Sequence, residues 1–311
     1  MILLFVLVGL AALLFGANFF VAAAMNLARR FRISEFVIGL TLVSLGACIP
    51  ETVIAITGGL YRHENIGVSD LIVGQIIGSN VSQIGLILGL AGLLGVMNLK
   101  TKALFYQAIF LIGSPIILLI FGQDLLISQA EGLLLVLAYL CYLIPMTISA
   151  RDEQKKQIVK GSLITDLAKG IIGLIAVIYG ARLTLDHSLL LAQEFGVNQS
   201  LVGIFLLGLG TSLPELSVAL TAFIKKANNV SVGAIFGSYI LDALLALGLG
   251  ASISGFKVDP AMLQFDFPFL IFLAVVVVLF FYSRKKLERK ESLLILGLYA
   301  GYVVLKVVTS L

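Results

Sequence analysis

The chain has 311 residues and a formal net charge of +4; 60% of it is hydrophobic and only 12% charged, for a mean hydropathy of +1.11. Soluble domains carry about 25% charged residues, so a chain this apolar would expose hydrocarbon that water does not tolerate. Its solvent is largely lipid. The basic residues sit in short loops, which removes the need for a nucleic-acid partner, and the apolar runs leave no stretch long enough for a soluble domain.

The first apolar run, 2–27, lacks a basic leading segment and is too long for the core of a signal peptide, so it reads as a spanning helix. A span takes roughly 20 apolar residues, and polar punctuation divides the chain into ten such segments: 2–27, 34–60, 68–96, 102–122, 125–149, 163–185, 198–224, 230–255, 263–283 and 291–309. Barrel strands are excluded because the runs are continuous and show no period-two alternation. Ser69 and Asp70 read as an N-cap pair at the third segment, and His63 and His187 as polar loop residues outside. Cys48 and Cys141 lie inside apolar runs and read as small packing residues.

Sixteen basic residues, among them Arg29, Arg30, Lys155 and Lys156, follow odd-numbered segments, against Arg62, Arg182, Lys257 and Lys306 on the other side. The cytoplasmic excess of Lys and Arg therefore places both termini outside. No organellar address is visible, so a prokaryotic plasma membrane is the expected location. The lipid bilayer is the evident partner, and a monomer suffices.

Self-similarity gives the plan. An offset of 164 pairs Ile38-Gly39 with Val202-Gly203, and Gly46, Pro50 and Glu51 with Gly210, Pro214 and Glu215. Further on an offset of 159 pairs Gly78-Ser79 with Gly237-Ser238, Gln83 with Asp242, and Gly89 with Gly248. Five segments separate the copies, and an odd number makes them enter the membrane from opposite sides, the geometry that supports alternating access. The expected fold is an all-α membrane protein of ten transmembrane helices in two inverted five-helix repeats. Residues 1–150 form the first (motif helices 34–60 and 68–96), 151–162 a cytoplasmic linker, and 163–311 the second (motif helices 198–224 and 230–255).

Glu51 and Glu215 fall in the middle of apolar runs, where an ionised carboxylate costs about 2.5–3.5 kcal/mol. Two such groups facing each other across a pseudo-two-fold axis would repel, and a divalent cation between them removes both the repulsion and the burial cost. Pro50 and Pro214 deprive the carbonyls of Gly46 and Gly210 of their helical partners; unwound backbone at membrane depth is tolerated where it lines a cavity. Freed carbonyls beside carboxylates suit Ca²⁺, which takes six to eight oxygens at about 2.3–2.6 Å. Thr211 shares a helix face with Glu215, as Ser238 does with Asp242 and Ser79 with Gln83. No H-E-x-x-H or other enzyme motif is present, so no catalytic residues and no cofactor are expected.

At these residues the chain resembles the Ca²⁺/cation antiporter superfamily, particularly the sodium/calcium exchangers. Gly210-Thr211-Ser212-Leu213-Pro214-Glu215 matches the family's G-T-S-[LAI]-P-E, whereas Gly46-Ala47-Cys48-Ile49-Pro50-Glu51 keeps the glycine, proline and glutamate. The second family motif, G-[NS]-x-x-G-S-N-x-x-[ND], is similar to 74–83 and to 233–242. The resemblance implies Ca²⁺ held chiefly by Glu51 and Glu215. It further implies Na⁺ ligands at Thr211, Ser212, Ser79, Ser238 and Asp242, with Gln83 in the place of a family asparagine and backbone carbonyls at Ser44 and Gly208. It also implies that the first and sixth helices slide across the other eight. Ala47 and Cys48 remove two family hydroxyls, and Na⁺ needs hard oxygens. The expected activity is Ca²⁺/Na⁺ antiport, with H⁺ coupling through Glu51, Glu215 and Asp242 as one alternative and a cation channel as another.

Overall fold

The computed structural model describes residues 1–30, 48–61, 67–95, 97–98, 101–148, 162–216, 219, 228–284 and 286–310. Residues 151–161 of the linker, His63, Ser44, Gly46 and Ala47 lie outside the described residues. In chain order the helices are α1 (Ile2–Arg30), α2 (Ile49–Tyr61), α3 (Val68–Leu94), α4 (Thr101–Phe121), α5 (Gln129–Ile148) and α6 (Leu163–Phe195), followed by α7 (Gln199–Leu216), α8 (228–254), α9 (262–284) and α10 (Arg289–Ser310). Eight stretches among the described residues are long and apolar enough to cross a membrane. The fold is an all-α membrane fold.

Burial sorts the helices by role. Every residue of α3 from Leu71 to Gly85 is buried, and α8 is buried along most of its length. By contrast α1, α4, α5, α6 and α10 turn large apolar side chains outward, among them Phe15, Phe105, Leu133, Ile171 and Val308. In water this arrangement would be costly; in hydrocarbon it costs nothing. α3 packs on α7 and α10, α8 on α2 and α5, and α4 on α9. Two short antiparallel bridges tie the loops: β1 (Met97–Asn98) to β4 (Lys286–Leu287) and β2 (Leu126–Ile127) to β3 (Phe256–Lys257).

The central helices touch backbone to backbone. A Cβ on Gly78 would stand 2.2 Å from the carbonyl oxygen of Ile204, and one on Gly203 would stand 2.2 Å from that of Leu71. Small residues at such crossings let membrane helices approach closely. The same device joins α2 to α8 through Gly59 and Gly250, and α1 to α6, antiparallel, through Gly9 and Gly16 against Gly180 and Gly173. Asn26 Nδ2 donates to Asp166 Oδ1 at 2.9 Å at the far end of the α1–α6 pair.

Several sequence expectations are corrected. The sixth segment runs on to Phe195, so His187 is helical; its Nδ1 lies 2.9 Å from the Leu183 oxygen and its ring packs at a tilt against Phe5. The α3 cap is Gly67, at φ 93°, and no side chain caps the helix; glycine reaches this left-handed conformation without steric cost, leaving Ser69 and Asp70 in the first turn. Lys306, inside the tenth segment, gains a partner that the sequence did not show. It is buried and pairs with Asp266 at 2.5 Å, and Tyr302 donates to the other Asp266 oxygen at 2.8 Å. A buried charge at membrane depth is tolerated when paired in this way.

The α3–α7 crossing predicts an asymmetric response to added methyl groups. Gly78→Ala should lower stability by about 1–3 kcal/mol, the usual cost of overpacking, because the atom it meets is backbone. Gly113→Ala, which would meet nothing within 4 Å, should leave the protein unchanged. Thermal unfolding in detergent followed by circular dichroism measures both, and equal melting temperatures would refute the reading.

Candidate cation site

Four helices bring their motif residues to one buried place. α2 begins immediately after a turn at Cys48, so Pro50 occupies its first turn, where a missing N–H has no cost. In α7 the helix stops at Thr211, Ser212 leaves helical geometry at φ −79°, ψ 3°, and residues 213–216 resume as helix with Pro214 at their start. Glu51 and Glu215 therefore both sit in the opening turn of a helical stretch.

Glu51 is fully buried and Glu215 nearly so. None of their four carboxylate oxygens has a hydrogen-bonding partner among the described residues. Glu51, Glu215 and Asp242 lie close enough for their charges to act on one another, and among the described residues no lysine or arginine acts on them. Cys48 Sγ and one carboxylate oxygen each from Glu215 and Asp242 lie within 4.8 Å of one another.

The hydroxyl groups are arranged as acceptors. Thr211 donates to Leu207 O at 2.9 Å, Ser212 to Gly208 O at 2.7 Å and Ser238 to Ala234 O at 2.9 Å. Each proton is thus committed to the carbonyl one turn back, and the oxygen lone pairs are left for another group. Ser79 Oγ lies 2.8 Å from Ser212 Oγ and 3.1 Å from Asp242 Oδ2. Gln83 Nε2 donates to the same Asp242 oxygen at 2.8 Å and to Ser79 at 3.3 Å. Asp242 Oδ1 remains without a partner among the described residues. The site is rich in oxygen acceptors and poor in donors, the composition that suits a hard cation.

Two of the motif helices are locally rewound at the site. α3 takes a π-type turn over Ser82–Ile87, which contains Gln83, and α8 takes one over Asp242–Ala246. α7 has another at Val202–Leu207, directly before Gly208. Such turns are frequent at functional sites.

Known proteins bear on this geometry. The profile of the family described as sodium/calcium exchanger protein matches residues 1–147 and 167–308. The chain belongs to the sodium/calcium exchanger protein family. Its relatives include the sodium/calcium exchanger MaX1 of Methanosarcina acetivorans, 25% identical over 97% of each chain. The putative antiporter CaxA of Alkalimonas amylolytica is 27% identical over 96% of each. Among solved structures, the sodium-calcium exchanger NCX_Mj soaked with Na⁺ and Sr²⁺ superposes with a TM-score of 0.66 at 27% identity, over 98% of this chain and 99% of that one. The exchanger's all-α membrane fold is thus shared with NCX_Mj.

Of the residues singled out from sequence, Glu51, Glu215, Thr211, Ser212, Ser79, Gln83, Ser238, Asp242 and Gly208 are buried, and the hydrogen bonds above link Ser79, Gln83, Ser212 and Asp242. Cys48, expected to be a packing residue, has its thiol at the carboxylates; its match to Ser212 in the repeat was the available signal. Gln75, Asn80 and Tyr239 were not singled out, yet each is fully buried with side-chain polar atoms lacking partners among the described residues. Asn80 and Tyr239 correspond at the offset of 159.

The Gln83–Asp242 contact is open to a double-mutant cycle. Gln83→Met and Asp242→Asn should couple by about 0.6–1.7 kcal/mol, the range found for hydrogen bonds between membrane helices, in thermal unfolding of the purified exchanger. Strictly additive losses would show that the contact contributes nothing.

Proposed function

We propose that the exchanger moves Ca²⁺ across the membrane against Na⁺ by alternating access, with Glu51 and Glu215 as the principal Ca²⁺ ligands and Thr211 beside them. One observation carries the reading: two buried carboxylates whose four oxygens have no hydrogen-bonding partner and which, among the described residues, are in reach of a third carboxylate and of no basic group. Left alone, three such charges repel and are poorly solvated. A divalent cation neutralises two of them, and two Na⁺ would do the same on the return path.

The coupling ions would be held by Ser79, Ser212, Ser238 and Asp242, with carbonyls at Ser44 and Gly208 and with Gln83 fixing Asp242. The departure from helical geometry at Ser212, before Pro214 and Glu215, would leave backbone carbonyls available beside that glutamate. Two inverted five-helix repeats, 1–150 and 163–311, explain why Gln83 and Asp242 both fall in rewound turns and why Ile49-Pro50-Glu51 and Leu213-Pro214-Glu215 both open a helix. Alternating access would follow from α1 and α6 shifting together across the remaining eight helices, since glycine contacts bind that pair to each other. The charge bias of the loops supports termini on the outer face, in a prokaryotic plasma membrane.

H⁺ coupling is favoured by one feature of this chain, the loss of two hydroxyls at Ala47 and Cys48. Reconstitution in liposomes decides between the ions. ⁴⁵Ca²⁺ uptake should follow an outward Na⁺ gradient; uptake driven only by a pH gradient would replace Na⁺ by H⁺, and uptake indifferent to both would indicate a channel. Glu51→Gln and Glu215→Gln should each reduce uptake at least ~100-fold, the upper end of what loss of even an outer-shell partner costs a metal site, with the elution profile on size exclusion unchanged. Retained uptake in either variant would overturn the proposed ligands.

A further inference from the structure

The cation site contains a sulfur atom that a Ca²⁺ or Na⁺ site does not need. Cys48 is fully buried, and its Sγ stands with carboxylate oxygens of Glu215 and Asp242 inside a 4.8 Å group. Its Sγ also lies 3.9 Å from the Ser238 oxygen, a long contact. Both oxygens of Glu215 and Oδ1 of Asp242 lack hydrogen-bonding partners among the described residues, whereas Asp242 Oδ2 is held by Ser79 and Gln83. A thiol that merely filled space would not need two unsatisfied carboxylates beside it. The second half of the chain has Ser212 at the matching position, and its oxygen lies 2.8 Å from Ser79 Oγ. Only the first half substitutes sulfur for oxygen.

Donor chemistry decides what such a trio selects. Ca²⁺ and Na⁺ take oxygen ligands, and Ca²⁺ wants six to eight of them. Sulfur donors favour softer metals, and Zn²⁺ binds thiolate at about 2.3 Å and carboxylate oxygen at about 2.0–2.2 Å in four-coordinate sites. Three protein donors with a fourth position open is the arrangement of zinc sites that exchange their outer ligand, which is also what a carrier must do to release its cargo. Donor atoms within 4.8 Å of one another meet around one ion after small side-chain rotations.

We propose that Cys48, Glu215 and Asp242 form a site for thiophilic divalent cations of the Zn²⁺/Cd²⁺ type, so that the exchanger accepts these ions at its transport centre in competition with Ca²⁺. The proposal rests on the transport reading above and adds a substrate class to it. Glu51 lies outside the three-donor group and remains a ligand for the larger, oxygen-seeking ion. The thiol therefore acts as a selectivity element: it weakens the oxygen shell around Ca²⁺ and strengthens the shell around a softer ion.

Cd²⁺ is the probe, used on the full chain. In a Cys141→Ser background, which removes the exposed second thiol, Cd²⁺ added to the purified exchanger in detergent should produce a sulfur-to-metal absorption band in the near ultraviolet. Cys48→Ser and Cys48→Ala should each abolish the band. In liposomes, the ratio of Cd²⁺ to Ca²⁺ affinity, read from Cd²⁺ inhibition of ⁴⁵Ca²⁺ uptake, should fall at least ~10-fold in Cys48→Ser, the scale of losing one strong ligand. No band in the parent protein, a band that survives both substitutions, or an unchanged ratio would overturn the proposal. The absorption band needs no transport, so its absence defeats the soft-metal site alone. A parent protein that binds Cd²⁺ through Cys48 but exchanges no cation defeats the transport reading instead.

Discussion

The structure is organised around an electrostatic deficit. Glu51, Glu215 and Asp242 carry carboxyl groups into an interior where each ionised one costs about 2.5–3.5 kcal/mol, and the protein returns very few donors to them. Two hydrogen bonds reach Asp242, both on one oxygen; none reaches either glutamate among the described residues. Thr211, Ser212 and Ser238 could have donated, yet each gives its proton to its own helix. The result is a cluster of oxygen lone pairs that protein alone does not satisfy.

Holding that cluster in place falls to the contacts that lie farthest from polar chemistry. Where α3 crosses α7, Gly78 and Gly203 bring main chain against main chain, and Ser79 and Gly208 are neighbours in the same crossing: a Cβ on Gly208 would stand 2.7 Å from the Ser79 nitrogen. Side-chain oxygens from two helices meet because nothing larger than hydrogen separates their backbones. The π-type turns at Ser82–Ile87 and Asp242–Ala246 rotate the helices just where Gln83 and Asp242 must face each other. Packing and site geometry are therefore one problem, solved by the same glycines.

Much of this is legible in the sequence, for identifiable reasons. Apolar runs of about 20 residues give helices because lipid offers the backbone no other partner, and nine of the expected segments other than 34–60 begin within four residues of an observed helix start. Glu51, Glu215 and Asp242 stand out because charge in an apolar run has a cost that must be met. The full length of α6 was hidden, since Asp186 and His187 interrupt the apolar run while Arg182 and Asp186 pair on the helix surface. The α3 cap was misassigned because Gly67 supplies through backbone freedom what Ser69 and Asp70 seemed to supply through side chains. Cys48 reads as packing because it lies in an apolar run, while its match to Ser212 in the repeat and the chain's return past Glu215 and Asp242 give it another meaning.

One feature bears on how tightly the two ion fluxes are tied. Each glutamate lies in the opening turn of a helical stretch, where the peptide dipoles place about half a positive charge. That partial charge relieves the carboxylates by about 0.3–2 kcal/mol, well short of what a bound ion provides. A carrier in this condition resists travelling vacant: with no cargo its interior stays unbalanced, and crossing the barrier unloaded is the expensive step. Under the proposed reading, leak is suppressed by the same shortage of donors that attracts the ion, and every departure has to be matched by an arrival.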